Sequence, residues 1–370
     1  MKNLLVVLLG FFILVGCAQK PVIVQKSNTI KKEKPIIQKS KTEVVEEQEV
    51  IVVEEDFIHV EDINNLNRIA VVYPSKIVGK YAKSTLATVS AFLLFDNKPF
   101  EIETFDTYVE NSDNILEQLN SINEKGFTKV IALFTQNGFD ILNSLEESKN
   151  LNIYFPLINK SEVFTQNENF IFGGISYQKQ MELLQSLSSD EKNTMFYVKS
   201  YLGNKLRDSY FNTFNPGIVK EIQRKNNKFK YIMEDERMIG TAVILNTPII
   251  KSSIIMSQLT AFEIAPSMIL STQLNYNPLL LKLTQDRDRE KFYVVSAISE
   301  VNSFIEDYSK LLGSDVKYNW VDYSSLVGIN YLINKNESQI IKSEIIDNQV
   351  NYEKTLYKST LYGFQKVFTN

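Results

Sequence analysis

The chain has 370 residues, with 44 acidic against 40 basic and a net charge of −4. That mild acidic excess argues against a nucleic-acid partner. One cysteine and one histidine, Cys17 and His59, exclude disulfides, Cys/His zinc patterns, a Ser-His-Asp triad and a cysteine nucleophile from the body of the chain.

The sequence contains no Walker loop, G-x-G-x-x-G or G-x-S-x-G, so no cofactor is implied and no enzyme is expected. Carboxylate chemistry stays formally open at Glu234-Asp235-Glu236, a run that reads first as a solvated turn. Hydrophobic content of 44% and charged content of 23% are ordinary for a globular protein. The length suffices for a core shared by two lobes or two domains.

The N-terminus reads as an export signal. Lys2 precedes an unbroken run of apolar residues and Gly from Leu4 to Leu14. As a helix that run is about 16 Å long, half of the roughly 30 Å hydrocarbon core, which suits a signal peptide better than a membrane span. It ends in Leu14-Val15-Gly16-Cys17, which resembles the lipobox of bacterial lipoproteins, with Val15 bulkier than the usual residue. The resemblance implies loss of residues 1–16, diacylglycerol on the Cys17 thiol, and a further acyl chain such as palmitate on the freed amine. An ordinary signal peptide with an incidental cysteine is the alternative. Two or three acyl chains anchor a protein stably. Ala18, where enterobacterial sorting reads Asp as a retention signal, points to the periplasmic face of the outer membrane. In a Gram-positive cell the same anchor places the protein on the plasma membrane.

Residues 17–67 are expected to form a flexible, disordered stalk. Lysines come first, from Lys20 to Lys41, and acidic residues follow, from Glu43 to Asp62; no apolar periodicity long enough to build a core accompanies them. Val50 to Val53 is a candidate short strand with nothing nearby to pair with. A coil of this length spans roughly 40 Å.

The pattern changes at Arg68. Ile69-Ala70-Val71-Val72-Tyr73 reads as a strand buried on both faces, followed by a helical stretch carrying Leu86, Val89, Phe92 and Leu93. A strand is expected at Ile102 to Phe105, then a helix through Ile115, Leu116, Leu119 and Ile122. Strand Val130 to Phe134, helix Phe139 to Leu145, and strands Ile153 to Ile158 and Phe170 to Gly173 follow. Next come helix Gln178 to Leu187, strand Met195 to Val198 and helix Lys205 to Phe214. Later strands are Ala242 to Leu245, Met268 to Leu270 and Phe292 to Ala297. Such alternation predicts an α/β fold with parallel sheets and right-handed crossovers. These nine strands exceed one ordinary sheet and predict two lobes.

Ile69-Ala70-Val71-Val72-Tyr73-Pro74-Ser75 with Val78-Gly79-Lys80-Tyr81-Ala82 resembles the first strand and loop of type I periplasmic binding proteins. Phe304-Ile305 with Tyr308, Leu312-Gly313, and Tyr323-Ser324-Ser325-Leu326-Val327-Gly328 are similar to that family's later elements, the last in degenerate form. The resemblance covers residues 68–332 and implies two doubly wound lobes, joined by three crossing strands, over residues 68–370.

Ligands of open α/β sheets sit beyond the carboxyl ends of the strands. The cleft candidates are therefore Ser75 and Tyr81 after the first strand, Thr135, Gln136 and Asn137 after the third, and Asn159, Lys160 and Ser161 after the fourth. Tyr201, Thr247 and Gln273 join them from the second lobe. Each could equally be an ordinary polar loop residue, and Asn137 and Ser161 could simply cap helices.

Amino-acid-binding members pair a Ser/Thr-rich loop with an acidic residue, and Thr135-Gln136-Asn137-Gly138 substitutes loosely for the first. Three function classes follow. One is an outer-membrane lipoprotein that engages an envelope protein, like the C-terminal domain of the lipoprotein activators of penicillin-binding proteins. Another is the solute-binding protein of an ABC transporter, with a small-molecule ligand. An envelope-remodelling enzyme is the third.

Overall fold

Ile69-Ala70-Val71-Val72 has no polar face and must be covered on both sides. In this computed structural model it lies inside the strand Asn67–Tyr73 (β1), with all four residues at most 1% exposed. The structure describes residues 66–188, 192–215, 217–225, 227–335, 341 and 344–368, within the chain's unit Phe57–Asn370. The proposed signal peptide, Cys17, the stalk through residue 65 and the candidate strand Val50 to Val53 lie outside the described residues. β1 begins at Asn67, one residue before the expected domain start.

The first lobe continues with α1 (Ser75–Asp96), β2 (Phe100–Asp106), α2 (Ser112–Glu124), β3 (Lys129–Ala132), α3 (Gln136–Ser144), β4 (Asn152–Phe155) and β5 (Phe170–Phe172). The second comprises α4 (Tyr177–Gln185), β6 (Asn193–Val198), α5 (Tyr201–Thr213), β7 (Ile218–Ile222), α6 (Lys230–Met233), β8 (Ala242–Asn246), α7 (Ile249–Ala261), β9 (Met268–Ser271), α8 (Pro278–Leu283), α9 (Asp286–Arg289) and β10 (Phe292–Ser296). The chain then returns to the first lobe with α10 (Ser303–Leu312), α11 (Trp320–Asn334) and the hairpin β11 (Glu344–Ile346) and β12 (Gln349–Asn351). It ends in the second with β13 (Thr355–Ser359) and β14 (Phe364–Lys366).

Each lobe has a seven-stranded sheet, in the orders β11-β12-β5-β4-β3-β1-β2 and β14-β13-β10-β9-β8-β6-β7. The five parallel strands of each repeat one doubly wound order, 2-1-3-4-5. The later strands add antiparallel pairs at one edge, β11 on β12 in the first lobe and β13 and β14 beside β10 in the second. Three segments cross between lobes: residues 173–176, 297–302 and 352–354.

Sequence reading missed β7 and β11 to β14. β7, Ile-Val-Lys-Glu-Ile, is an edge strand with only Ile222 buried, so it lacks the apolar run that marked the others. Two expected strands are shorter than their apolar runs: β3 stops at Ala132 and β4 at Phe155. Val78-Gly79-Lys80-Tyr81 is not a loop but lies within α1.

Side-chain oxygens at Asn111, Ser176, Ser200, Asn302 and Asn319 cap α2, α4, α5, α10 and α11, taking backbone donors that would otherwise lack a partner.

Phe139, Phe155, Phe170 and Phe172 pack edge-on and stacked on one face of the first sheet. On the other face α1 and α11 cover Ile69, Ile131 and Tyr154. α11 approaches Tyr154 so closely that a Cβ on Gly328 would lie 2.3 Å from its ring, and one on Gly173 would lie 2.0 Å from its hydroxyl. Both positions therefore demand glycine for space. Gly328→Ala is expected to destabilise the domain by about 1–3 kcal/mol through overpacking, measured by chemical denaturation. Unchanged stability would show that Tyr154 can move aside.

Candidate functional site

In the order 2-1-3-4-5 the crevice for a ligand opens where the chain reverses direction across the sheet, between β1 and β3. The first lobe gathers apolar side chains at that crevice. Val78, Ala82, Leu133 and Val321 are buried there, and Tyr73, Tyr81, Leu157 and Trp320 pack against them. Leu133 follows β3 and Leu157 follows β4, while Val78, Tyr81 and Ala82 come from the first turns of α1 and Trp320 and Val321 open α11.

The eleven sequence candidates do not converge on one site, and most of their polar groups are already bonded inside the protein. Ser75 opens α1 and donates its backbone N–H to Asp106 Oδ1 at 3.0 Å. Burial would raise the Asp106 carboxyl, but bonds from Ser75 and from Tyr108 N–H hold it below its usual value. Tyr81 packs in the apolar crevice with the Lys80 ammonium 4.5 Å from its ring centre.

Thr135 donates to the Glu110 carboxylate through its backbone N–H at 2.6 Å and its hydroxyl at 2.5 Å. Asn137 donates to the Glu110 carbonyl at 3.2 Å and Gln136 to the Glu162 carbonyl at 3.0 Å. Asn159, rather than Ser161, caps the 3₁₀ turn Lys160–Glu162 and also donates to Gly174 O at 2.8 Å. Ser161 donates to Asn159 Oδ1 at 2.7 Å. Lys160 reaches the Asp347 carbonyl at 2.6 Å.

In the second lobe Thr247 is fully buried and shares a 2.7 Å bond with Ser252. Gln273 donates its backbone N–H to Gln180 Oε1 at 2.8 Å and accepts Ala297 N–H on its own Oε1 at 2.5 Å. Tyr201 stands 70% exposed at the start of α5.

Contacts between the lobes involve residues that sequence reading did not select. Lys205 on α5 pairs with Glu162 after β4 at 2.5 Å, and its ammonium lies 5.7 Å from the Tyr177 ring centre. Burial pushes the Tyr177 phenol up, with Tyr81 and Glu162 adding to the shift, so it stays neutral. Trp320 packs against the cores of both lobes, and so does Tyr352. The one signal for Trp320 in the sequence was its being the only tryptophan.

A pocket of about 430 Å³ lies where the three crossings meet. Its walls come from Gly174–Ser176, Ala297, Tyr352 and Lys354, the β11–β12 hairpin, residues 159–161 and the first turns of α4. Three of the eleven candidates, Asn159, Lys160 and Ser161, line it. Among the described residues no group of three His, Cys, Asp or Glu side chains is placed to hold a metal ion. No described helix is long and apolar enough to cross a membrane.

No family model and no curated protein matches the sequence. Solved structures do match. A putative branched-chain amino acid ABC transporter protein from Rhodospirillum rubrum shares 10% identity, covering 82% of this chain and 100% of its own, at a TM-score of 0.61. The substrate-binding protein LivJ from Streptococcus pneumoniae, complexed with isoleucine, shares 10% identity with the same coverages at 0.59. The C-domain of LpoA from Haemophilus influenzae, described as a regulator of PBP1A, shares 12% identity, covering 82% and 100%, at 0.55. With two mostly parallel sheets of repeated order joined by three crossings, the described chain has the two-lobed fold of type I periplasmic binding proteins.

Proposed function

We propose that this protein is a lipid-anchored envelope protein whose two-lobed domain works as a non-catalytic module engaging a protein partner linked to the cell wall or its synthesis. The observation that carries this reading is the state of the crevice. Thr135, which would have to meet a ligand carboxylate, is bonded to Glu110, and the crevice carries a cluster of apolar side chains. Placing an amino acid there would break those bonds and expose buried groups. A fold shared with both LivJ and the LpoA C-domain suits either a receptor or a regulator; the apolar crevice favours the regulator.

The anchor belongs to the same proposal. The short apolar run and the Leu-Val-Gly-Cys end support acylation at Cys17, and Ala18 supports the periplasmic face of the outer membrane. Mass spectrometry of the mature protein is expected to find a lipid-modified N-terminal Cys17. An unmodified cysteine, or a cut elsewhere, would contradict it. Separating the cell's membranes tests the location.

Amino acids and simple sugars are expected to leave the unfolding temperature unchanged. A receptor held at 100 times its dissociation constant would gain about 2.7 kcal/mol. Crosslinking in cells is expected to recover an envelope protein. A micromolar metabolite whose binding is lost on Tyr81→Ala would establish a solute-binding protein instead.

A further inference from the structure

The pocket at the crossings has a charge that its surroundings do not explain. The chain is acidic overall, at −4, yet Lys160, Lys179 and Lys354 line this one cavity from three remote segments, with Asp347 the only carboxylate among the lining residues. Lys160, Lys179 and Lys354 form no ion pair among the described residues, and Lys160 donates to the Asp347 backbone carbonyl. α4 points its N-terminal turn at this wall: Ser176, Lys179 and Gln180 all line the pocket, and the turn carries no acidic residue. Such a terminus adds partial positive charge, while Ser176 already accepts the N–H groups of Lys179 and Gln180.

A second observation is independent of these charges. Gln180 is 1% exposed, and its Oε1 is fixed by Gln273 N–H at 2.8 Å. Its Nε2, a donor, then stays buried with no acceptor among the described residues. A buried donor without a partner costs about 1–3 kcal/mol, so an acceptor brought by a ligand would relieve it.

We propose that this pocket binds a compact dianion, of phosphate or dicarboxylate type, between Lys160, Lys179 and Lys354, with Gln180 Nε2 as a neutral donor. The site goes beyond the partner-binding role, because Tyr81, Thr135 and the apolar crevice take no part in it. All three crossings contribute walls, so a bound dianion ties them together and stiffens the junction of the lobes. Trp320, which packs on both lobes, reports that change.

Calorimetric titration of the whole protein with sodium phosphate and, separately, sodium succinate tests the site, with Trp320 emission read in parallel and sodium chloride at equal ionic strength as control. Saturable binding of phosphate or of succinate is expected, and which of the two binds identifies the chemical source. The double variant Lys179→Gln/Lys354→Gln is expected to bind at least about 10-fold more weakly. Both lysines are exposed, so its unfolding temperature without ligand should match the parent. Gln180→Leu removes the orphan donor and should also weaken binding, whereas Tyr81→Phe should not. The proposal is overturned if neither anion binds below about 10 mM, if chloride reproduces the signal, or if the folded double variant binds as tightly as the parent. Capture of a protein partner in cells would be unaffected by any of these results.

Discussion

Tyr352 ties the third crossing to the first: its hydroxyl donates to the Gly173 carbonyl at 2.8 Å, with Ser324 and Tyr154 hydroxyls within 3.3 Å. Three buried hydroxyls and a carbonyl thus join β4, α11 and two crossings at one point. Burial raises the Tyr352 phenol, so it remains a neutral donor. The second crossing is tied in by another route, from Ala297 N–H to Gln273 and from Gln273 to Gln180 on α4. Two lobes of the same topology are therefore joined by crossings fixed to one another as well as to the sheets. The glycines at 173 and 328 exist because Tyr154 occupies the space beside them.

This constraint bears on function. A receptor that works by closing on its solute needs an empty crevice and lobes free to move. Here Trp320, Tyr352 and the Lys205–Glu162 pair bring the lobes together from within the protein. Partly buried ion pairs are modest contributors alone, but this one spans the lobes and sits beside Tyr177 and the apolar crevice. The resulting surface is preorganised, which suits capture of a protein partner. The crossing pocket offers a different chemistry, positive and hydrogen-bonding, at the place where a small change in geometry moves both lobes.

Much of the fold was legible because a parallel strand covered on both faces cannot hide: Ile69 to Val72, Val243 to Leu245 and Val294 to Val295 are apolar runs with turns on either side. β7 was not, because an edge strand such as Ile218–Ile222 needs only one buried residue. The three-residue strands of the β11–β12 hairpin are too short for any periodicity. Their turn left a trace in Asp347-Asn348, which adopts φ of 50° and 63°, the left-handed pair that a tight hairpin demands. The candidate residues were chosen as strand ends, and the structure brings only Asn159, Lys160 and Ser161 to one pocket. Strand ends also cap turns and hold neighbouring loops, as Thr135 does for Glu110 and Asn159 for residues 160–162. Nothing in the sequence brings Lys160, Lys179 and Lys354 together; only the meeting of three crossings does.

The central claim is that the lobes are held by their own residues rather than by a ligand. Cys17 is the only cysteine, so Cys17→Ser with Glu117→Cys on α2 and Lys282→Cys on α8 gives one spin-label pair spanning the lobes. Pulsed electron resonance should return a single narrow distance distribution that saturating amino acids leave unchanged. A broad or two-peaked distribution that an amino acid collapses to one shorter distance would contradict the account.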